Sequence, residues 1–227
     1  MRKIVFFYFF LGFITLNASN FFSYTFLGIK ASTLGPGLEL GTSLTENLSF
    51  RLGANSYKDN FSSNNDDLHY NLNAKLRSDT AIFDYHLFST GFIVSVGMVY
   101  NQNGVALQAK PAGSSYEING HTYNASDVGT LVGDLSFPKY APYVGFGYST
   151  ASLYDGLHLE FNVGAIHEGD ANLILAAQCS NSIPQEECAQ LENDVKVQKA
   201  EIDDDLASIS KYIQWYPVIS LGISYTF

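Results

Sequence analysis

The carboxyl-terminal stretch, 213–227, most constrains what this chain can fold into. Ile219, Leu221, Ile223, Tyr225 and Phe227 are apolar, and Ser220, Gly222, Ser224 and Thr226 between them are small or polar. Strict period-two alternation gives a β-strand with one greasy face and one polar face. The polar face carries almost no bulk, as expected where side chains point into a narrow barrel.

The other end of the chain reads differently. Arg2 and Lys3 precede an apolar run over 4–16, broken mainly by Gly12 and Thr15. A charged segment followed by a short apolar one is the pattern of a secretory signal peptide. The run is too short to span a bilayer as a helix. The leader is expected over 1–19, with cleavage after Ala18 or Ser19, and the exported protein over 20–227. No Cys lies near this site, which excludes a lipoprotein anchor.

Acidic residues outnumber basic ones by 22 to 12, so the chain is no nucleic-acid binder. After the leader, no apolar run approaches the length of a transmembrane helix. Apolar content arranged in alternation, with 19 Gly and 15 Tyr, points instead to a transmembrane β-barrel. The expected fold is all-β: an antiparallel barrel of about eight strands, with a short helix in the last extracellular loop.

Strands are expected over 21–31, 34–44 and 47–57. In the second, Leu38, Leu40 and Leu44 share one parity; in the third, Leu48, Phe50, Leu52 and Ala54 do. Glu39 and Arg51 then lie on the polar face of one hairpin. The next strand starts near Leu68, with Leu68, Tyr70, Leu72, Ala74 and Leu76 on one face. Near Ser78–Thr80 the apolar parity changes to Ala81, Phe83, Tyr85 and Leu87, which a one-residue bulge would explain. Further strands are expected over 92–109, with a second slip near Asn103–Gly104, and over 135–149 and 157–178. Short turns at 45–46, 88–91 and 151–156 then fall on one side, the periplasm. Long loops at 58–66, 110–134 and 179–211 fall on the other. Phe88 and Phe92, Phe137 and Tyr140, and Trp215 and Tyr216 cluster near strand ends and suit two interfacial girdles.

The loop 179–211 holds both cysteines, Cys179 and Cys188. In an exported protein such a pair reads as a disulfide. A metal site would need more ligands, and no His lies nearby. Leu191, Val195, Ile202, Leu206, Ile209 and Ile213 recur at helical spacing, with Glu192 and Lys196 as an i,i+4 pair. A helix of about twenty residues follows, some 30 Å long. The alternative is a strand extension and an acidic loop around Asp203–Asp205.

The sequence also resembles a family of small proteobacterial outer-membrane proteins. The resemblance is carried by Lys110–Pro111, Ile118-Asn119-Gly120, Asp127-Val128-Gly129 and Ala141-Pro142-Tyr143. It extends to the Cys pair before an acidic helical stretch and to Trp215-Tyr216-Pro217 opening the last strand. More broadly the chain is similar to the membrane domain of OmpA-type barrels. That implies an outer-membrane location, and a last strand in which Ile219, Leu221, Ile223, Tyr225 and Phe227 form the signal read by the barrel-assembly machinery. Outer-membrane lipid and lipopolysaccharide would be its surroundings. The resemblance brings no activity with it. OmpA itself continues into a peptidoglycan-binding domain, which is not expected here, where the sequence stops at Phe227.

The ionisable residues expected inside are Glu39, Arg51, Lys75, Arg77, Asp84 and Glu160. Unpaired charges in a narrow barrel are costly, so mutual pairing is expected. Such a network either plugs the lumen, which an eight-stranded barrel can fill with its own side chains, or gates a narrow pore for small solutes. The expected role is structural or surface-interacting, with a narrow gated channel as the alternative and a lipid A-modifying enzyme as the second. For the enzyme reading, His86 near Asp84 is the only pair to consider, and no catalytic residues, cofactor or metal are expected. For surface binding, Tyr116, Tyr123 and the acidic helix are the contact candidates.

Overall fold

The computed structural model describes residues 24–64, 68–111, 115–124, 127–150, 155–180 and 183–227. The expected leader lies outside the described residues. Among the described residues the fold is an all-antiparallel sheet system of thirteen strands with one long helix.

β1 (Thr25–Ser32), β2 (Gly37–Ser43), β3 (Leu48–Asn64) and β4 (Leu68–His86) form a meander, each paired with the next. A short 3-10 turn, Leu87–Ser89, leads into β5 (Phe92–Asn101), which pairs with the lower half of β4. The chain then makes an excursion. β6 (Gly104–Pro111) pairs with the upper half of β4, and β7 (Ser115–Ile118) and β8 (His121–Asn124) form a separate hairpin. β9 (Val128–Ser136) returns along β6. β10 (Tyr140–Ser149) pairs with β5, and β11 (Gly156–His167) pairs with β10. A second excursion adds β12 (Asn172–Cys179) beside β9 and the helix α1 (Gln185–Ile213). β13 (Trp215–Thr226) finally pairs with β11 on one side and β1 on the other. The succession β1-β2-β3-β4-β5-β10-β11-β13 thus begins and ends at β1.

The count of about eight strands is therefore corrected to thirteen. The expected strand 92–109 is two strands, β5 and β6, which share β4 as neighbour at different heights. The expected strand 157–178 is likewise β11 and β12. The loop expected over 110–134 holds the β7–β8 hairpin and much of β9. The slip at Asn103–Gly104 is thus the passage from one strand to the next.

The bulge near Ser78–Thr80 is also corrected. The β3–β4 register runs unbroken from Leu48 opposite Tyr85 to Asn64 opposite His69. Even-numbered residues of β4 therefore keep one side throughout. Below Asp79 the outer side is apolar, with Phe83 44% and Tyr85 53% exposed. Above it the outer side carries Asn71, Asn73, Lys75 and Arg77, while Tyr70, Leu72 and Leu76 turn inward. The strand does not slip; its surroundings change. An outer face that meets an apolar medium below and water above produces this reversal without any backbone irregularity.

In the lower region, the exposed residues of all eight ring strands are apolar: Leu27 and Ile29, Leu40, Leu52, Phe83, Val96, Phe146, Leu159 and Leu221 among them. Aromatic contacts bound this band. At one end Phe92 meets Tyr148 and Tyr225 meets Phe227; at the other Tyr100 meets Tyr140 and His167 meets Trp215. The turns after β2 and β4 and the chain end lie at the first end; the excursions leave from the second.

The excursions build a small water-soluble-type core above the band. Leu191 and Val195 of α1 are buried with Val128 and Tyr123, against Leu131, Leu175 and Ala177. Burying each aliphatic side chain contributes about 1.5–3 kcal/mol. α1 spans 29 residues, longer than the expected twenty. Leu191 and Val195 bear out the helical stripe and Ile202 is half-buried; the side chains of Leu206, Ile209 and Ile213 lie outside the described residues. Glu192 and Lys196 are both exposed, and the ion pair along the helix is Lys199 with Asp203 instead.

Candidate functional site: a charged lumen and its mouth

Alternation places Phe26, Gly28 and Lys30 of β1, Glu39 of β2, Arg51 of β3, Asp84 of β4 and Glu160 of β11 on the inner face. Four of them join in one chain. Lys30 Nζ lies 2.6 Å from Glu39 Oε2, and Arg51 Nη1 donates to both Glu39 oxygens at 3.1 and 3.2 Å. On its other edge Arg51 Nε lies 2.6 Å from Asp84 Oδ2, and Nη2 donates to Asp84 Oδ1 at 3.3 Å. The Ser95 hydroxyl donates to the same Asp84 oxygen. Arg51 thereby spans two carboxylates with its planar fork, which suits guanidinium better than ammonium.

Glycines make room for these side chains. Lys30 and Glu160 stand on either side of Gly222 in the β1–β13–β11 ladder. Gly53 lies beside Glu39 in the β2–β3 ladder, and a Cβ on it would sit 2.6 Å from Thr80 Oγ1 and 3.1 Å from Lys30 Nζ. Small residues opposite long charged ones are how a narrow interior is filled.

Arg51 divides what space remains. A cavity of about 10 Å³ on one side is shared by Arg51, Asp84, Glu160, His86 and Phe26. A second, of about 20 Å³, lies between Arg51, Lys30, Tyr143, Ile82 and Val99. Each holds at most a water or so. Beyond the second, Leu34, Ile82, Val99, Ala141, Tyr143, Ile166 and Val218 pack as an apolar layer toward the mouth.

Of the six expected inner charges, the structure gathers Glu39, Arg51, Asp84 and Glu160. Lys75 and Arg77 are corrected: both are exposed on the outer side of β4, because β4 has no bulge to turn them inward. Lys30 takes their place as the second cation. It sits in phase with Phe26 and Gly28, so the parity of β1 could have found it. Three carboxylates thus face two cations, and Glu160 Oε1 is buried without a hydrogen-bond partner among the described residues. His86 shares the inner side with Asp84, with its Nδ1 3.1 Å from the Thr90 carbonyl oxygen.

At the mouth a further carboxylate is buried. Glu168, 4% exposed, follows β11 directly. Its Oε1 accepts from Asn101 Nδ2 at 2.9 Å and from Asn103 Nδ2 at 3.4 Å. Burial pushes its carboxyl above the usual range, against those two amides. Beside it opens a cavity of about 230 Å³.

The excursions are tied together by Asp194 of α1. Its Oδ1 accepts from Asn119 Nδ2 at 3.1 Å, its Oδ2 lies 2.8 Å from His121 Nδ1, and the Tyr123 hydroxyl donates to it as well. These three belong to the β7–β8 hairpin, whose two-residue turn, Asn119–Gly120, has φ of 50° and 77°. Asn-Gly suits such a turn, since both positions need positive φ. Hydrogen bonds from Tyr123 and Asn119 hold the Asp194 carboxyl below its ordinary value, while burial pushes the Tyr123 hydroxyl up to about 12. Tyr123, expected as an exposed contact, is therefore corrected to a buried one, and the Tyr116 side chain lies outside the described residues. Cys179 and Cys188 are joined, tying β12 to the first turn of α1. Their sulfurs lie near the Glu192 carboxylate, but both are spent in the bond.

The chain shares its fold with CarO of Acinetobacter baumannii. Crystal structures of CarO and CarO2 from that organism superpose with TM-scores of 0.54 and 0.56, at 19% and 21% identity. They cover 89% and 92% of this chain and 97% and 100% of theirs. Both are outer-membrane β-barrel proteins. At this identity the likeness shows the fold and no activity. No family model matches the sequence, and no curated protein does. The OmpA-type likeness rests on the sequence motifs alone.

Proposed function

We propose that the chain is an outer-membrane β-barrel of a Gram-negative bacterium, with a structural or surface-interaction role. The eight ring strands would span the membrane, and the excursions with α1 would stand on the extracellular side. The leader over 1–19 would direct export. The barrel-assembly machinery would insert the chain through its last strand, and outer-membrane lipid and lipopolysaccharide would surround it. The observation that carries this reading is the band of exposed, uncharged apolar side chains between two aromatic levels, around a lumen filled with paired charges. Such a band is what lipid demands of a barrel's outer face.

The lumen is read as a plug, because Arg51 bridges Glu39 and Asp84 and leaves only water-sized spaces on either side. A second reading, a narrow gated channel, is favoured by those same two spaces: displacing Arg51 would join them. Membrane fractionation with a heat-dependent gel shift tests the location, and a water-soluble product overturns it. Planar bilayers test the plug. Wild type is expected to show small, rare openings, and large steady conductance favours the channel. Lipid A altered by purified protein, with the change lost in His86→Ala, would replace both readings with an enzyme.

A further inference from the structure

The cavity at the mouth is lined by Leu76, Asn103, Phe137, Glu168, Trp215, Tyr216 and Pro217. Three aromatic rings, two aliphatic side chains and one amide surround a single acidic one. At about 230 Å³ it far exceeds the space of one water, about 30 Å³. Glu168 is buried, and its two amide donors, from Asn101 and Asn103, both address Oε1. No Lys, Arg or His forms an ion pair with Glu168 among the described residues. The nearest ring nitrogen along the chain belongs to His167, whose ring packs edge-on against Trp215.

A buried carboxylate held in place by amides, with no cation of its own, is expensive unless something supplies the charge. Aromatic faces beside it attract the same species, since the ring quadrupole presents its negative face to a cation. We infer that this cavity is a binding site for a small organic ammonium compound. Its charged nitrogen would meet Glu168 Oε2, and its apolar body would lie against Phe137, Trp215 and Tyr216. This site lies above the charged lumen and does not depend on whether the lumen conducts.

Trp215 is the only tryptophan of the chain and forms the exposed rim of the cavity, so its fluorescence reports occupancy. Purified full-length protein in detergent micelles is titrated with butylammonium and tetramethylammonium, and with 1-butanol and butyrate as neutral and anionic probes. The expected result is a saturable change with both cations, a response to butanol at least tenfold weaker, and none to butyrate. Glu168→Gln should weaken cation binding tenfold or more and leave the butanol response unchanged. If that variant does not refold, Phe137→Ala keeps the carboxylate and should weaken both cations several-fold while preserving their advantage over butanol. Equal responses to butylammonium and butanol, no saturation with either cation, or undiminished binding in the variant that folds would each overturn the assignment.

Discussion

Asp79 stands opposite Tyr100 in the β4–β5 ladder, and Tyr100 stands opposite Tyr140 in the next. That row is where the outer side of β4 changes from apolar to polar. The outer boundary of the exposed apolar band is therefore written in one strand, by residues two apart: Arg77 and Asp79 above, Ala81 and Phe83 below.

This relationship predicts a position-dependent cost for one substitution. Val96 lies midway between Phe92 and Tyr100 on the outer face of β5. Val96→Lys should destabilise the folded protein by about 2–4 kcal/mol, the cost of a lysine at the bilayer midplane. Asn73→Lys, on the outer face above Asp79, should change stability by less than about 0.5 kcal/mol. Unfolding in urea with the protein in lipid vesicles gives both numbers. Equal costs would show that the boundary lies elsewhere.

The last strand carries a second prediction. Leu221 is 61% exposed on the same face and is opposite Ala31 and Phe161. Leu221→Asp, or removal of Phe227, should leave the chain unassembled and degraded in the periplasm. Whole-cell surface labelling measures this, and normal surface levels of both variants would refute the reading of that face.

Arg51 should be the member of the lumen network that the fold can least lose. Arg51→Ala leaves Asp84 without its cation and Glu39 with Lys30 alone in a buried site, at a cost of about 3–5 kcal/mol. Replacing all three at once, as Glu39→Gln, Arg51→Met and Asp84→Asn, should recover most of that loss, because one cation, Lys30, and one carboxylate, Glu160, then remain inside to balance each other. The midpoint of the heat-dependent gel shift compares the two variants. A triple variant as weak as the single one would mean that packing, not charge, is what Arg51 supplies.

Much of this architecture was legible in the sequence, for a physical reason. Alternation follows from the backbone, so the parity of their strands alone places Glu39, Arg51, Asp84 and Glu160 inward. What failed was the assumption that apolar residues always mark the same face. It holds only along the exposed apolar band. Above Asp79 the apolar side turns inward, and Leu72 and Leu76 were then mistaken for an outer face, which sent Lys75 and Arg77 into the lumen. The same assumption hid β9 and β12, whose Val128, Leu131, Leu175 and Ala177 pack toward α1 rather than the surroundings. Glu168 offered no sequence signal, since its burial depends on Asn101 and Asn103 from a strand end more than sixty residues away.

The Cys179–Cys188 bond closes a separation of nine residues. On the chain-entropy model such a loop is worth about 2.7 kcal/mol. Because it ties β12 to α1 above the apolar band, its loss should loosen that region and spare the ring strands. Cys179→Ser with Cys188→Ser should speed hydrogen exchange at the start of α1 while the heat-dependent gel shift stays within a few degrees of wild type. Thiol labelling of whole cells should find no free cysteine until reductant is added. Labelling without reductant would argue against the bond.

Asp194 makes the docking of the β7–β8 hairpin depend on pH. Tyr123, Asn119 and His121 all converge on its carboxylate, and the bonds from Tyr123 and Asn119 hold its carboxyl below the ordinary value. The folded-state value thus lies below the unfolded one, about 3.9. The contribution of Asp194 is full above that unfolded value and is lost as pH falls through the depressed one. Acidification below about pH 4 should therefore protonate the carboxylate and release the hairpin from α1, while the disulfide keeps α1 on β12. Hydrogen exchange, corrected for intrinsic rates, should show protection in β7 and β8 falling over that range and protection in β3 and β11 holding. Asp194→Asn, which cannot ionise, should show weaker hairpin protection that no longer varies with pH there. Protection of β7 and β8 that is equal in wild type and variant at every pH would show that apolar contact with Leu191 and Val195 alone holds the hairpin down.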